Sequence, residues 1–202
     1  MYRVLIFGDS VIAGRGVTKS QSWPVLLSDY LFNNKKFFVY ELGINSENST
    51  ELLVRLRQEI LSRVNKMSSD EKLIIILGIG LNDSKKALGA LDTKKLVNDF
   101  SANLKKIFKI CKHFSSKIIL VGPNPVNDAR MKELEIPLRN HFISEYSKTI
   151  EDVCLLEKAS FINIFDFWSK KNYLKYLSDD GMHPSPRGHS IIYKIIAKNI
   201  IK

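Results

Sequence analysis

Two stretches of this chain, Leu73-Ile74-Ile75-Ile76-Leu77 and Ile118-Ile119-Leu120-Val121, are apolar at every position. A strand with one wet face alternates apolar and polar residues. A strand buried on both faces does not, and that is the pattern of a parallel sheet covered on both sides. The same reading predicts strands over residues 3–8, 37–42, 73–78, 117–122 and 160–164. Helical spacing fills the intervals: residues 23–31, 49–64, 96–111 and 138–156, with a last helix starting near Pro186. Ser22 is placed to cap the first, with Pro24 in its first turn. Leu52, Leu53, Leu56, Ile60 and Val64 form one face of the second, and Ile191, Ile192, Ile195, Ile196 and Ile200 one face of the last. Strand–helix alternation of this kind predicts an α/β fold with right-handed crossovers. With five strands the expected form is a flavodoxin-like three-layer α/β/α sandwich on a parallel sheet. No low-complexity tract, repeat or Pro/Gly-rich linker interrupts it, so residues 1–202 are expected to form a single domain.

Composition narrows the class. At 202 residues and 45% hydrophobic content the chain can bury a sizeable core. Its longest apolar run, residues 73–80, is far too short to cross a bilayer. Met1-Tyr2-Arg3 leads straight into the first strand, so no signal peptide is expected. Cys111 and Cys154 lie in apolar stretches without disulfide or metal spacing; they are expected to be buried thiols, and a cytoplasmic location fits them. The excess of 31 Lys+Arg over 21 Asp+Glu, a net charge of +10, invites a nucleic-acid partner or an anionic substrate or surface. The helix over residues 96–111 argues for a plainer origin. Val97, Phe100, Leu104, Ile107, Phe108 and Cys111 share its apolar face, while Lys105, Lys106, Lys109 and Lys112 fall mostly elsewhere. No zinc finger or basic block interleaved with stacking aromatics is present, so nucleic acid is not expected as a partner.

Ligands of open parallel sheets bind beyond the carboxyl ends of the strands. Gly8-Asp9-Ser10 follows the first strand, Gly43-Ile44-Asn45-Ser46 the second and Gly80-Leu81-Asn82-Asp83 the third. Asp180-Gly181-Met182-His183-Pro184 precedes the last helix, and Asn124, Asn127 and Asp128 follow the fourth strand. Together these supply an acyl-transfer site. A serine hydroxyl needs a base, and His183 has an acid, Asp180, three residues earlier to hold its second ring nitrogen. Backbone N–H groups at Ser10 and Gly43, with the Asn82 amide, can serve as oxyanion donors. Asp9, Asn124 and Asn127 are placed to touch substrate. His113, His141 and His189 lack such surroundings and are expected to be structural.

Other motifs fail. In Gly78-Ile79-Gly80, Asp83 occupies the third glycine position of a dinucleotide fingerprint. Gly8 to Gly14 has the wrong spacing for a P-loop, and Ile12 stands where a Gly-x-Ser-x-Gly elbow needs glycine. No metal spacing occurs, and no cofactor is implied.

The four blocks Gly8-Asp9-Ser10, Gly43, Gly80-Leu81-Asn82-Asp83 and Asp180-Gly181-Met182-His183, in this order, resemble the SGNH (GDSL) hydrolase superfamily of esterases and lipases. The resemblance runs from residue 5 to about residue 195. It implies the flavodoxin-like fold, and a serine hydrolase with Ser10 as nucleophile, His183 as base and Asp180 as its orienter. It also implies an oxyanion hole of Ser10, Gly43 and Asn82, and a small-molecule ester as substrate. The second block departs from the pattern Asn-x-Gly-x-x-Gly: Glu41 replaces its asparagine and Ser46 its second glycine. That departure motivates the alternative of a catalytically inactive ligand-binding domain with the same fold.

Overall fold

The computed structural model describes residues 1–32, 37–65, 67–68, 70–115 and 117–200. Its strands are β1 (Tyr2–Gly8), β2 (Phe37–Gly43), β3 (Lys72–Gly78), β4 (Lys117–Val121) and β5 (Ser160–Ile162). All pair in parallel, in the order β2-β1-β3-β4-β5. The α-helices are α1 (Trp23–Phe32), α2 (Ser49–Val64), α3 (Leu81–Ser84), α4 (Thr93–Phe114), α5 (Asp128–Glu133), α6 (Asn140–Glu157), α7 (Ile164–Ser169) and α8 (Pro186–Ile200).

The continuous apolar runs divide by parity between two cores, as a period of two requires. Leu5, Phe7, Leu73, Ile75, Leu77, Ile118 and Leu120 pack under α2, α4 and α6. Val4, Ile6, Ile74, Ile76, Ile119 and Val121 pack under α1, α7 and α8 on the other face. This is the three-layer α/β/α sandwich. Cys111 and Cys154 are buried free thiols in the first core, each pushed up to about 12 by burial.

The lysine-rich helix α4 is longer than its periodicity suggests, running from an Asp92 cap to Phe114. Lys105, Lys106, Lys109 and Lys112 are exposed, and Lys112 pairs with Glu157. They form a solvated face. At the sheet's far edge the predicted fifth strand is cut to three residues. Asn163 turns its side chain to accept from Asp166 N–H at 3.0 Å, capping α7, so Ile164 begins a helix instead of ending a strand.

Strand order places the functional edge. β1 lies between β2 and β3, so the chain leaves β1 to one side and returns on the other, opening a crevice at the carboxyl ends. In register, Gly8 sits opposite both Gly43 and Gly78, so all three loops beyond these strands begin at one level.

His189, expected to be structural, is wholly buried in α8 and has a definite task. Ser22 accepts the first helical bond of α1 on its carbonyl, but its hydroxyl donates to Lys19 O instead of capping. The Trp23 N–H is taken by His189 Nδ1 at 3.2 Å, so α8 caps α1 with an imidazole. Burial pushes this ring down to about 4, and its Nε2, near the Arg15 backbone, completes no hydrogen bond. The unfolded chain protonates His189 below its ordinary 6.5 while the folded chain resists until about 4. Its stability contribution is therefore complete above pH 6.5 and is lost as pH falls toward 4, by about 3 kcal/mol. His189→Gln keeps an acceptor for Trp23 and should lose less stability than the wild type between neutral and mildly acidic pH in urea titrations. The paired comparison isolates this ring, because Asp9, pushed up to about 6 by burial, titrates nearby with the opposite sign.

Candidate active site

Ser10 lies two residues past β1, where the chain turns sharply: Ala13 N–H donates to Asp9 O at 3.0 Å and Arg15 N–H to Ser10 O at 2.9 Å. Asp9 Oδ1 accepts from Val11 N–H at 2.9 Å, which fixes the turn from inside. This turn rests on Gly43. A Cβ there would lie 2.4 Å from Ala13 N and 2.8 Å from the Ile12 carbonyl carbon, so only glycine permits the approach.

Across the edge, the segment between α7 and α8 presents His183. Its Nε2 lies 2.9 Å from Ser10 Oγ and its Nδ1 lies 2.6 Å from Asp180 Oδ2. Asp180 is held as firmly as it holds. Its Oδ1 accepts from Met182 N–H at 2.8 Å, His183 N–H at 2.9 Å and Ser178 Oγ–H at 2.8 Å. Partial burial opposes ionisation of Asp180, but the His183 ring and these donors outweigh it and hold the carboxyl well below its usual range. Ser10, His183 and Asp180 thus form an unbroken line of hydrogen bonds, with Ser10 and His183 buried to 6% and 2% exposure.

Asn82 lies in the short helix α3, two residues beyond Gly80, whose φ of +123° suits glycine. Its Nδ2 donates to Glu47 O at 3.0 Å and more weakly to Asp9 Oδ2 at 3.4 Å. Its Oδ1 accepts from Lys85 Nζ at 2.7 Å, which sets the amide's orientation. Next to it, Asp83 accepts from Ser49 N–H and, at 2.6 Å, from Ser49 Oγ–H. Asn82 therefore ties α3 to the loop after β2, and Asp83 ties it to the first residue of α2. In the parallel ladder, Ile44 N–H reaches Gly8 O at 2.8 Å, which leaves the Gly43 N–H turned away from β1.

The departures in the second block have a physical reading. Ser46 adopts φ +65°, a left-handed conformation that glycine takes without penalty. The loop keeps its shape at the cost of strain at one exposed residue, and Glu47 with Arg55 braces it. The Arg55 guanidinium grips both Glu47 carboxylate oxygens, donates to Leu42 O at 2.7 Å and lies over the Phe7 ring. Ser46→Gly should raise stability by about 0.5–1 kcal/mol, the released strain exceeding the added unfolded-chain entropy, read as a higher denaturant midpoint at unchanged slope.

The structure gives protein partners to the three residues expected to touch substrate. Asp9 is buried under the serine turn. Asn124 Nδ2 donates to Met182 O at 3.0 Å, and Asn127 N–H donates to Gly181 O at 2.8 Å. Both asparagines hold the histidine segment. Sequence reading missed Lys85, Ser178, the Asp83–Ser49 tie and the Glu47–Arg55 pair. Lys85 carried a signal: it stands three residues after Asn82, a spacing that brings side chains together on one helical turn.

Comparison with known proteins agrees with this geometry. The GDSL-like Lipase/Acylhydrolase family profile matches residues 6–191. An arylesterase of Vibrio mimicus is 22% identical over 99% of this chain and 88% of its own length. Thioesterase 1/protease 1/lysophospholipase L1 of Escherichia coli K12 is 22% identical over 98% of this chain and 82% of its own. Among solved structures, a lipase/acylhydrolase from Enterococcus faecalis superposes with a TM-score of 0.74 at 22% identity, covering 99% of this chain and 95% of that one. With the family profile spanning all four motif blocks and the fold shared end to end, this chain belongs to the GDSL-like lipase/acylhydrolase family, a family of ester-cleaving hydrolases.

Proposed function

We propose that the chain hydrolyses small carboxylic esters through an acyl-enzyme on Ser10. The observation that carries this reading is the line from Ser10 Oγ through His183 to Asp180. In this mechanism His183 Nε2 removes the Ser10 proton as Oγ attacks the ester carbonyl. Asp180 holds the tautomer with its proton on Nδ1 and stabilises the imidazolium that forms. The imidazolium then gives its proton to the departing alcohol, and a water, deprotonated by the same nitrogen, releases the acid and restores Ser10. The charge on the tetrahedral oxygen falls to the Ser10 N–H and the Asn82 amide. The Gly43 N–H, expected from the sequence as a third donor, points away from β1, and Gly43 acts instead as the support of the serine turn. The long 3.4 Å contact from Asn82 to Asp9 is the weaker of its two bonds, so that hydrogen is the one an oxyanion would claim. Each such donor is worth about 3 kcal/mol in the transition state. Asp9, Asn124 and Asn127 act in this reading as positioning residues for the serine turn and the histidine segment.

The substrate range covers short acyl esters, thioesters, lysophospholipids and O-acetyl groups, in keeping with relatives named as an arylesterase and a thioesterase/lysophospholipase. No cofactor or metal is assigned, and no nucleic-acid partner, since the lysines of α4 are accounted for as a solvated face. The chain is read as one domain over residues 1–202, and its free thiols favour the cytoplasm. No helix among the described residues is long and apolar enough to cross a membrane. The non-catalytic binding domain is not favoured, because nucleophile and base already lie within bonding distance. Release of p-nitrophenol from p-nitrophenyl acetate, together with fluorophosphonate labelling confined to Ser10, is the expected result. Absence of both would overturn the reading.

A further inference from the structure

The charges beside Ser10 are arranged in a way that proton transfer does not require. Lys85 lies just after α3, and Arg15 closes the turn beyond Ser10. Among the described residues neither forms an ion pair. Lys85 Nζ gives one hydrogen to Asn82 Oδ1 at 2.7 Å, and an ammonium has two more. Arg15 is exposed, and among the described residues its guanidinium donates no hydrogen bond. The two cations also act on each other: burial pushes the Lys85 ammonium down, Asp9 opposes this, and Arg15 pushes it down further.

The acids of the site, by contrast, are all engaged. Asp180 has its four donors, Asp83 has Ser49 and Glu47 has Arg55. Asp9, the one carboxylate acting on Lys85, is buried and bonded to Val11 and Asn82. Asp9 is therefore the one acid set against Lys85, and Arg15, whose backbone closes the turn beyond Ser10, adds a second cation with free donors. Like charges held together there raise the local potential, and an anion relieves it. Lys85 offers a point charge and Arg15 a planar fork, a pairing suited to carboxylate or phosphate oxygens.

We propose that Lys85 and Arg15 form an anion subsite beside Ser10, and that the esters this chain hydrolyses best carry a carboxylate or phosphate near the scissile carbonyl. The proposal rests on the acyl-enzyme reading and names the class of substrate for it. The anion can sit on the acyl arm or on the alcohol. Two matched pairs separate these: p-nitrophenyl hydrogen adipate against p-nitrophenyl hexanoate, and 4-acetoxybenzoate against its methyl ester.

In at least one pair the anionic ester should show kcat/KM about tenfold above its neutral partner at low salt, and the advantage should shrink at about 0.5 M salt. The pair that shows it tells which side carries the charge. The ratio should fall to about one in the Lys85→Met/Arg15→Gln double variant and persist in Lys109→Gln, which removes a distant charge from α4. The ratio is the decisive quantity, because loosening Asn82 by losing Lys85 slows both members of a pair alike. Neutral esters preferred in both pairs, an advantage that survives the double variant, or one that Lys109→Gln also abolishes would each overturn the subsite and leave the acyl-enzyme standing. No turnover of any ester with Ser10 unlabelled by fluorophosphonate overturns the reading beneath it.

Discussion

Ser10→Ala and His183→Ala should each lower kcat by about 10⁴-fold or more, and the double variant should be no slower than either alone. The non-additivity comes from the geometry. Ser10 Oγ is a weak nucleophile without the imidazole 2.9 Å away, and the imidazole has no other proton to move in the first step. Removing either ends the same step. The residual rate comes from the oxyanion donors, which neither substitution touches. Ser10→Ala deletes one oxygen from a site where Asp9 and Gly43 set the backbone, so the thermal midpoint should move little. His183 is buried, and His183→Gln serves as the companion where truncation to alanine leaves a cavity. A Ser10→Ala variant that keeps a tenth of wild-type turnover, free of wild-type enzyme, would remove Ser10 from the mechanism.

The sheet was legible in the sequence because burial on both faces writes itself into consecutive residues, as in Leu73-Ile74-Ile75-Ile76-Leu77 and its parity split between the two cores. The long helices were legible for the same reason, through one apolar stripe each. What escaped was short. α3, α5 and α7 run to six residues or fewer, too few turns to establish a period. β5 stopped early because a side-chain cap at Asn163 overrode its apolar continuation. Of the site, the residues at strand ends could be found by reading the loop beyond each strand. The bracing could not: Arg55 reaches Glu47 and Leu42 from the second turn of α2, and His189 reaches Trp23 across 166 positions. Such pairs are set by tertiary contact and leave no local pattern. Ser46 lies between these cases. Its departure from the glycine pattern was visible, but only the φ of +65° shows that the loop kept its conformation under a residue that strains it.

Asp180→Asn should cost about 10⁴-fold in kcat while leaving the fold in place, and the reason lies in which oxygen is already taken. Asp180 Oδ1 accepts from three donors, the N–H groups of Met182 and His183 and the Ser178 hydroxyl. An amide nitrogen cannot accept any of them, so asparagine must keep its oxygen there and turn its NH₂ toward His183 Nδ1. That NH₂ donates where a carboxylate accepted, and so selects the tautomer with the ring proton on Nε2, facing Ser10. The base is then present, in position and unable to take the proton. Fluorophosphonate labelling of Ser10 should slow in parallel with kcat, while binding of an unreactive ester analogue stays near the wild-type level. The pH dependence of stability gives a second readout. A carboxyl held below its usual range contributes stability that is complete above about pH 4 and is lost as pH falls through the folded value. The variant should therefore be less stable than the wild type at neutral pH, and the gap should narrow as pH falls and the wild type loses this contribution. Near-normal turnover by Asp180→Asn would mean that His183 needs no orienter, and that the three donors on Oδ1 serve only to shape the loop.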